Sequence, residues 1–89
     1  MNIEEKGNRI LAHFMKVEYS NELNYHEDWN KLMSVWTSLP VKYQDNGNRV
    51  SMDYIINSIL SGDIRNTWSV ITGYINKYVL TEEEYLKFI

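Results

Sequence analysis

The stretch from His26 to Pro40 limits the possible folds more than any other. Trp29, Leu32, Met33, Trp36 and Leu39 recur at steps of three and four, while Glu27, Asp28, Asn30, Lys31, Ser34 and Thr37 hold the opposite face. That spacing describes one apolar stripe of an α-helix, which has to be buried against other elements. The stripe runs into the single proline, Pro40, which cannot donate to a continuing ladder, so the helix is predicted to stop near Ser38 or Leu39. Asn24, with Glu27 three residues on, has the spacing of a cap, and Glu27 and Asp28 suit the positive end of the helix dipole.

The chain has 89 residues, room for one domain and one core. It has no cysteine, which removes disulfide staples, thiolate nucleophiles and thiolate metal sites together. Cohesion must come from packing, with seven Tyr, three Trp and two Phe supplying much of the buried surface. Trp29, Trp36 and Trp68 are expected in the core.

Ile3, Ile10, Leu11, Phe14 and Met15 mark a first helix, with Asn2 and Glu5 at capping-box spacing. Gly7 in its interior means either a weak first turn or a close approach by another element, and the first turn is expected to fray. After Pro40, Val41 to Gln44 and Arg49 to Met52 flank Asp45-Asn46-Gly47-Asn48, which reads as a small hairpin around an Asn-Gly turn. A third helix follows, capped by Ser51 or Asp53, with Met52, Ile55, Ile56, Ile59 and Leu60 as its apolar stripe and Gly62 as its stop. Asp63 can cap a fourth helix carrying Ile64, Trp68, Ile71, Ile75, Tyr78 and Val79, and Thr81-Glu82-Glu83-Glu84 is a capping-box pattern ahead of a short terminal helix. The expected fold is therefore mainly α: a compact single domain, a bundle of about four helices with a small β-hairpin between helices two and three.

The charge pattern narrows the functional classes. Nine Lys plus Arg stand against twelve Asp plus Glu, for net −3, and the basic residues are scattered singly from Lys6 to Lys87. Phosphate-backbone binding relies on clustered cations that release counterions, so direct nucleic-acid binding is not expected. The N-terminal Met1-Asn2-Ile3-Glu4-Glu5-Lys6 is unlike a signal peptide and no apolar run could span a bilayer, which points to a cytoplasmic protein.

No pattern carries catalysis or calls for a cofactor. His26-Glu27-Asp28 puts an imidazole beside two carboxylates, but neighbouring helical residues diverge and no second ligand pair has metal-binding spacing, so these residues read as helix N-terminal. Asp45-Asn46-Gly47-Asn48 lacks the further ligands of a calcium loop, and Ser61-Gly62-Asp63 lacks the lysine of a phosphate loop. Contact residues for a protein partner are sought among Tyr19, Tyr25, Tyr43, Tyr54, Tyr74 and Tyr85, several of them off the main stripes, and in the acidic run Glu82, Glu83 and Glu84.

Three stretches form an ordered set: Ile10-Leu11-Ala12-His13-Phe14-Met15, Tyr25-His26-Glu27-Asp28-Trp29-Asn30-Lys31-Leu32-Met33, and Asp63-Ile64-Arg65-Asn66-Thr67-Trp68 through Tyr74-Ile75-Asn76-Lys77-Tyr78. In this set the chain resembles a family of small uncharacterised proteins from phages and prophages of Bacteroidota-type hosts. Many members carry a longer strand segment before the late helix, where this chain has only the short region Val41 to Val50. The resemblance implies no activity and no catalytic residues. With the small size, aromatic richness, slight acidity and missing chemistry, it suggests a phage protein that is not an enzyme. Such a protein would bind a host protein stoichiometrically, as an anti-CRISPR inhibitor of a defence nuclease does. The alternatives are a structural or assembly module that forms homo-oligomers, or a protein that sequesters a nucleotide signal, which would need Arg9, Arg49 and Arg65 to converge on an aromatic pocket.

Overall fold

The computed structural model describes residues 2–39 and 49–87. They form five helices: α1 (Ile3–Met15), α2 (Trp29–Thr37), α3 (Arg49–Ser61), α4 (Ile64–Tyr74), which continues as a π-helical turn (Ile75–Val79), and α5 (Glu82–Leu86). α4 is the hub: it packs against α1, α2 and α3, while its π-helical end also meets α1. The core gathers Ile10 and Leu11 from α1, Leu32, Val35 and Leu39 from α2 and its end, and Ile55 from α3. It is completed by Trp68, Ile71, Tyr74 and Ile75 on α4 and its π-helical turn, and by Tyr25 from the turn before α2.

The starts of α1, α2, α4 and α5 have local causes. The Asn2 side chain accepts the Glu5 N–H at 2.7 Å and opens α1, although Glu5 turns its own carboxylate to Arg9 instead of closing a reciprocal box. Asp63 caps α4 by accepting the Asn66 N–H at 3.1 Å. α5 has the full capping box: Thr81 N–H donates to Glu84 Oε1 and Glu84 N–H to Thr81 Oγ1, both at 3.1 Å. α1 ends in a Schellman arrangement, with Lys16 N–H on the His13 carbonyl and Val17 N–H on that of Ala12. Its left-handed position is filled by Lys16, at φ 59°, where glycine is the usual residue. Gly62 takes the corresponding position after α3, at φ 78°.

Three expectations are corrected. The hairpin does not exist: Arg49 to Met52, read as its second strand, form the first turn of α3, and no strand occurs among the described residues. Its other half, 41–48, lies outside the described residues. The alternation in Arg49-Val50-Ser51-Met52 is as short as one helical turn, and the apolar positions that follow carry helical spacing straight through it. Ser51 and Asp53 are accordingly interior to α3, not caps. α2 starts later than expected, at Trp29, because Asp28, not Asn24, accepts the Lys31 N–H as N-cap; the Asn24 side chain instead receives the Lys31 ammonium at 2.9 Å. Finally, the stripe of α3 divides. Ile55 is fully buried and Ile59 partly so, whereas Ile56 and Leu60 face solvent, and the inward position between Ile55 and Ile59 belongs to Ser58.

Of the three tryptophans, Trp68 is in the core and Trp29 and Trp36 pack partly buried against it. No described helix is long and apolar enough to cross a membrane.

Candidate functional site

Gly7 and Trp68 bring α1 and α4 into close approach. A Cβ built on Gly7 would lie 2.2 Å from Trp68 Cζ2 and 2.8 Å from Cη2, so α1 and α4 meet at this distance only because Gly7 has no side chain. Close approach, not fraying, is therefore the reason for a glycine inside α1. The same contact buries Asn8, which is 3% exposed and fully engaged on its oxygen: the Trp68 indole N–H donates to Asn8 Oδ1 at 2.9 Å. Because an indole can only donate, this bond orients the amide, and Asn8 Nδ2 then donates to His26 Nδ1 at 2.9 Å. The His26 ring also stands edge-on to Trp68, with centroids 5.9 Å apart. Sequence reasoning put His26 at a helix N-terminus; it sits in the turn ahead of α2 and joins that turn to α1.

Beside this chain a polar crevice of about 470 Å³ is lined by Asn2, Glu4, Glu5, Asn8, Tyr19, Asn21 and His26. Its charges are already paired. The Glu4 carboxylate accepts from Arg65 at 2.7 Å, and that bond, ahead of the smaller backbone and charge effects, holds Glu4 below the usual carboxylate range. Glu5 accepts from Arg9 at 3.1 Å, and the Arg9 guanidinium lies over the Tyr19 ring, 4.2 Å from its centroid. Tyr19 is thus a half-buried platform for Arg9, with its hydroxyl 3.4 Å from Asn21 Oδ1.

A second histidine ties the C-terminus down. His13 Nε2 and Glu84 Oε2 are 2.6 Å apart across 71 residues of sequence. This bond, followed by those from the Thr81 backbone and hydroxyl, lowers the Glu84 carboxyl to about 2. Glu84 is therefore committed within the chain, while Glu82 and Glu83 remain exposed.

The tyrosines separate as sharply. Tyr25 and Tyr74 are core residues, each 4% exposed, and burial pushes the Tyr25 phenol upward. Tyr43 lies outside the described residues, as does the side chain of Tyr85. Tyr54 is 63% exposed and flanks a shallow hollow of about 220 Å³ with Asn57, Ser58, Ser61 and Asn66. Around the outward side of the same helix come Ile56, 42% exposed, and Leu60, one turn further and 78% exposed. Three large apolar side chains thus stand in solvent on α3, which packs chiefly on α4. The described outward positions of α3 carry one charge, Asp53.

A nucleotide site would draw on Arg9, Arg49 and Arg65. Arg9 and Arg65 are each engaged by a glutamate, and the side chain of Arg49 is not among the described ones. Among the described residues no three His, Cys, Asp or Glu side chains gather as metal ligands. The sequence reading missed Asn8 and Ser58 as buried polar partners; the only signal for Asn8 was its place beside the interior Gly7. Compared with protein-family models, curated proteins and solved structures, the chain matches none of them.

Proposed function

We infer that the chain acts by stoichiometric binding to another protein, and that the outward side of α3 is the surface it uses. The observation that supports this reading is the exposure of Tyr54, Ile56 and Leu60 on a helix with one main neighbour. Ile56 and Leu60, one turn apart, form one apolar flank of that side and Tyr54 the other, with Asp53 and Asn57 between them, so that large apolar and aromatic side chains rim a face with one described charge. The near-neutral face makes apolar burial the main source of affinity, so binding should weaken little as salt rises. The reading gives no residue a catalytic role and needs no cofactor. The likeness to phage proteins directs the first search to the cytoplasm of a Bacteroidota host and to defence nucleases, CRISPR effectors among them.

Affinity capture from such a lysate, with and without nuclease treatment, tests the reading. Stoichiometric recovery of one host protein that survives nuclease treatment is the expected result. Recovery of the bait alone would contradict it, and a dimer in sedimentation would give the α3 face to a second copy of the chain. Sequestration of a nucleotide signal is disfavoured by the pairing of Arg9 and Arg65 with glutamates, which leaves these cations neutralised where a phosphate would need them.

A further inference from the structure

The geometry points to a proton-operated latch: His26 holds the turn before α2 against α1 only while its imidazole is neutral, and protonation releases it. Donors and acceptors in the buried chain leave no freedom. Trp68 Nε1–H can only donate, so it fixes Asn8 Oδ1 toward itself and Asn8 Nδ2 toward His26. His26 Nδ1 must therefore be a bare acceptor, with the ring proton on Nε2. A proton on Nδ1 would set N–H against N–H. Asn8 cannot answer by rotating its amide, because its NH₂ group would then face the indole N–H, and at 3% exposure it has no water to turn to. The conflict is relieved by moving the imidazolium outward.

The surroundings supply somewhere for it to go. Glu27, on the same turn, has Oε1 3.5 Å from His26 Nε2. From α1, Glu4 and Glu5 line the crevice that His26 borders, and from the following loop Tyr19 does so too. Arg9 and Arg65 reach this region through Glu5 and Glu4, which they neutralise in part, and their guanidinium groups also lie over the Tyr19 and Trp68 rings, 4.2 and 5.9 Å from the centroids. Carboxylates thus draw the imidazolium toward the crevice mouth while Asn8 rejects it from the interior. Release would uncover Asn8 and the Trp68 edge that the ring now covers.

The test follows hydrogen exchange at the Trp68 indole N–H, identified among the three indole signals by W68F and corrected for intrinsic rates. In the wild-type protein, acidification through the range where imidazoles take a proton should speed this exchange about tenfold or more, in step with the His26 ring resonances. His26→Gln keeps an acceptor toward Asn8 that does not titrate, so its protection should stay constant across the same range. Asn8→Asp offers a carboxylate to both the indole and an Nδ1–H, and acidification should then no longer weaken protection. Constant wild-type protection while the His26 ring titrates would overturn the latch, as would the same acid-induced loss in His26→Gln. The His26→Gln comparison decides the matter even if Asn8→Asp does not fold.

Discussion

α1 and α3 are each 13 residues long and both lie against α4, yet past its exposed first residue, Ile3, α1 is covered on its apolar side while α3 is left open. α1 buries Gly7, Asn8, Ile10, Leu11 and Ala12, and it carries His13, tied to Glu84 on α5, and Asn8, the partner of His26. α3 is as rich in large apolar residues but leaves Tyr54, Ile56 and Leu60 outside. Apolar content therefore does not decide which side of a helix is covered. A side is sealed where a small residue lets a neighbour approach and a buried polar group satisfies whatever that neighbour brings, as Gly7 and Asn8 do for Trp68. α3 has its own polar contact, Ser58 Oγ accepting from Asn66 Nδ2 at 2.8 Å, but on the inward side alone.

The comparison breaks most visibly at Gly7. Gly7→Ala puts a methyl group into the Trp68 ring, and overpacking there should destabilise by about 2–3 kcal/mol even after the roughly 1 kcal/mol that alanine gains over glycine in a helix. Urea denaturation reads this as a lower midpoint at unchanged slope. A smaller or absent loss would mean that Trp68 yields easily and that the seam is looser than its distances imply.

The tie between α1 and α5 gives the next effect. Glu84 is lowered from 4.5 to about 2, first by the His13 bond and then by Thr81. Between those values the unfolded chain binds the proton that the folded chain refuses, so the pair's contribution to stability is fully present above about pH 4.5 and is lost as pH falls toward 2. Thermal unfolding followed across this window should show that decline in the wild-type protein and a shallower one in His13→Ala. The two histidines have opposite partners: His13 faces a carboxylate and His26 an amide donor.

Lys16 gives a smaller effect of opposite sign. A lysine at φ 59° carries the strain of a left-handed residue with a Cβ, so Lys16→Gly should stabilise by about 0.5–1 kcal/mol, visible as a raised Tm.

The helical character, most caps and most core residues were legible because periodicity and capping chemistry are local. Asp63, Gly62 and the Thr81–Glu84 box stand where they were read. The hairpin failed because Arg49 to Met52 is too short for period two to outweigh the helical period running on from Ile55, and Asn24 lost the cap of α2 to a neighbour with equal chemistry, Asp28. The candidate surface was legible only in Tyr54. Which of Ile55, Ile56, Ile59 and Leu60 face inward depends on how α3 rolls against α4, and that roll turns inward a serine, Ser58, whose burial no apolar pattern announces. Tyr25 looked off-stripe for the related reason that it precedes α2, in a turn folded back into the core. The His13–Glu84 and Asn8–His26–Trp68 connections join residues far apart in sequence and had no signal beyond the interior glycine.

The smallest effect on stability belongs to the largest claim about function. Ile56→Glu combined with Leu60→Glu alters solvent-facing positions and should leave unfolding free energy within about 0.5 kcal/mol per site of the wild-type value. The decisive measurement is capture of the host partner by this double variant beside the wild-type protein, with thermal unfolding of both measured in the same buffer. Equal stability with recovery of the partner abolished is the outcome expected if the open side of α3 is the binding surface. Equal stability with undiminished recovery would contradict that account.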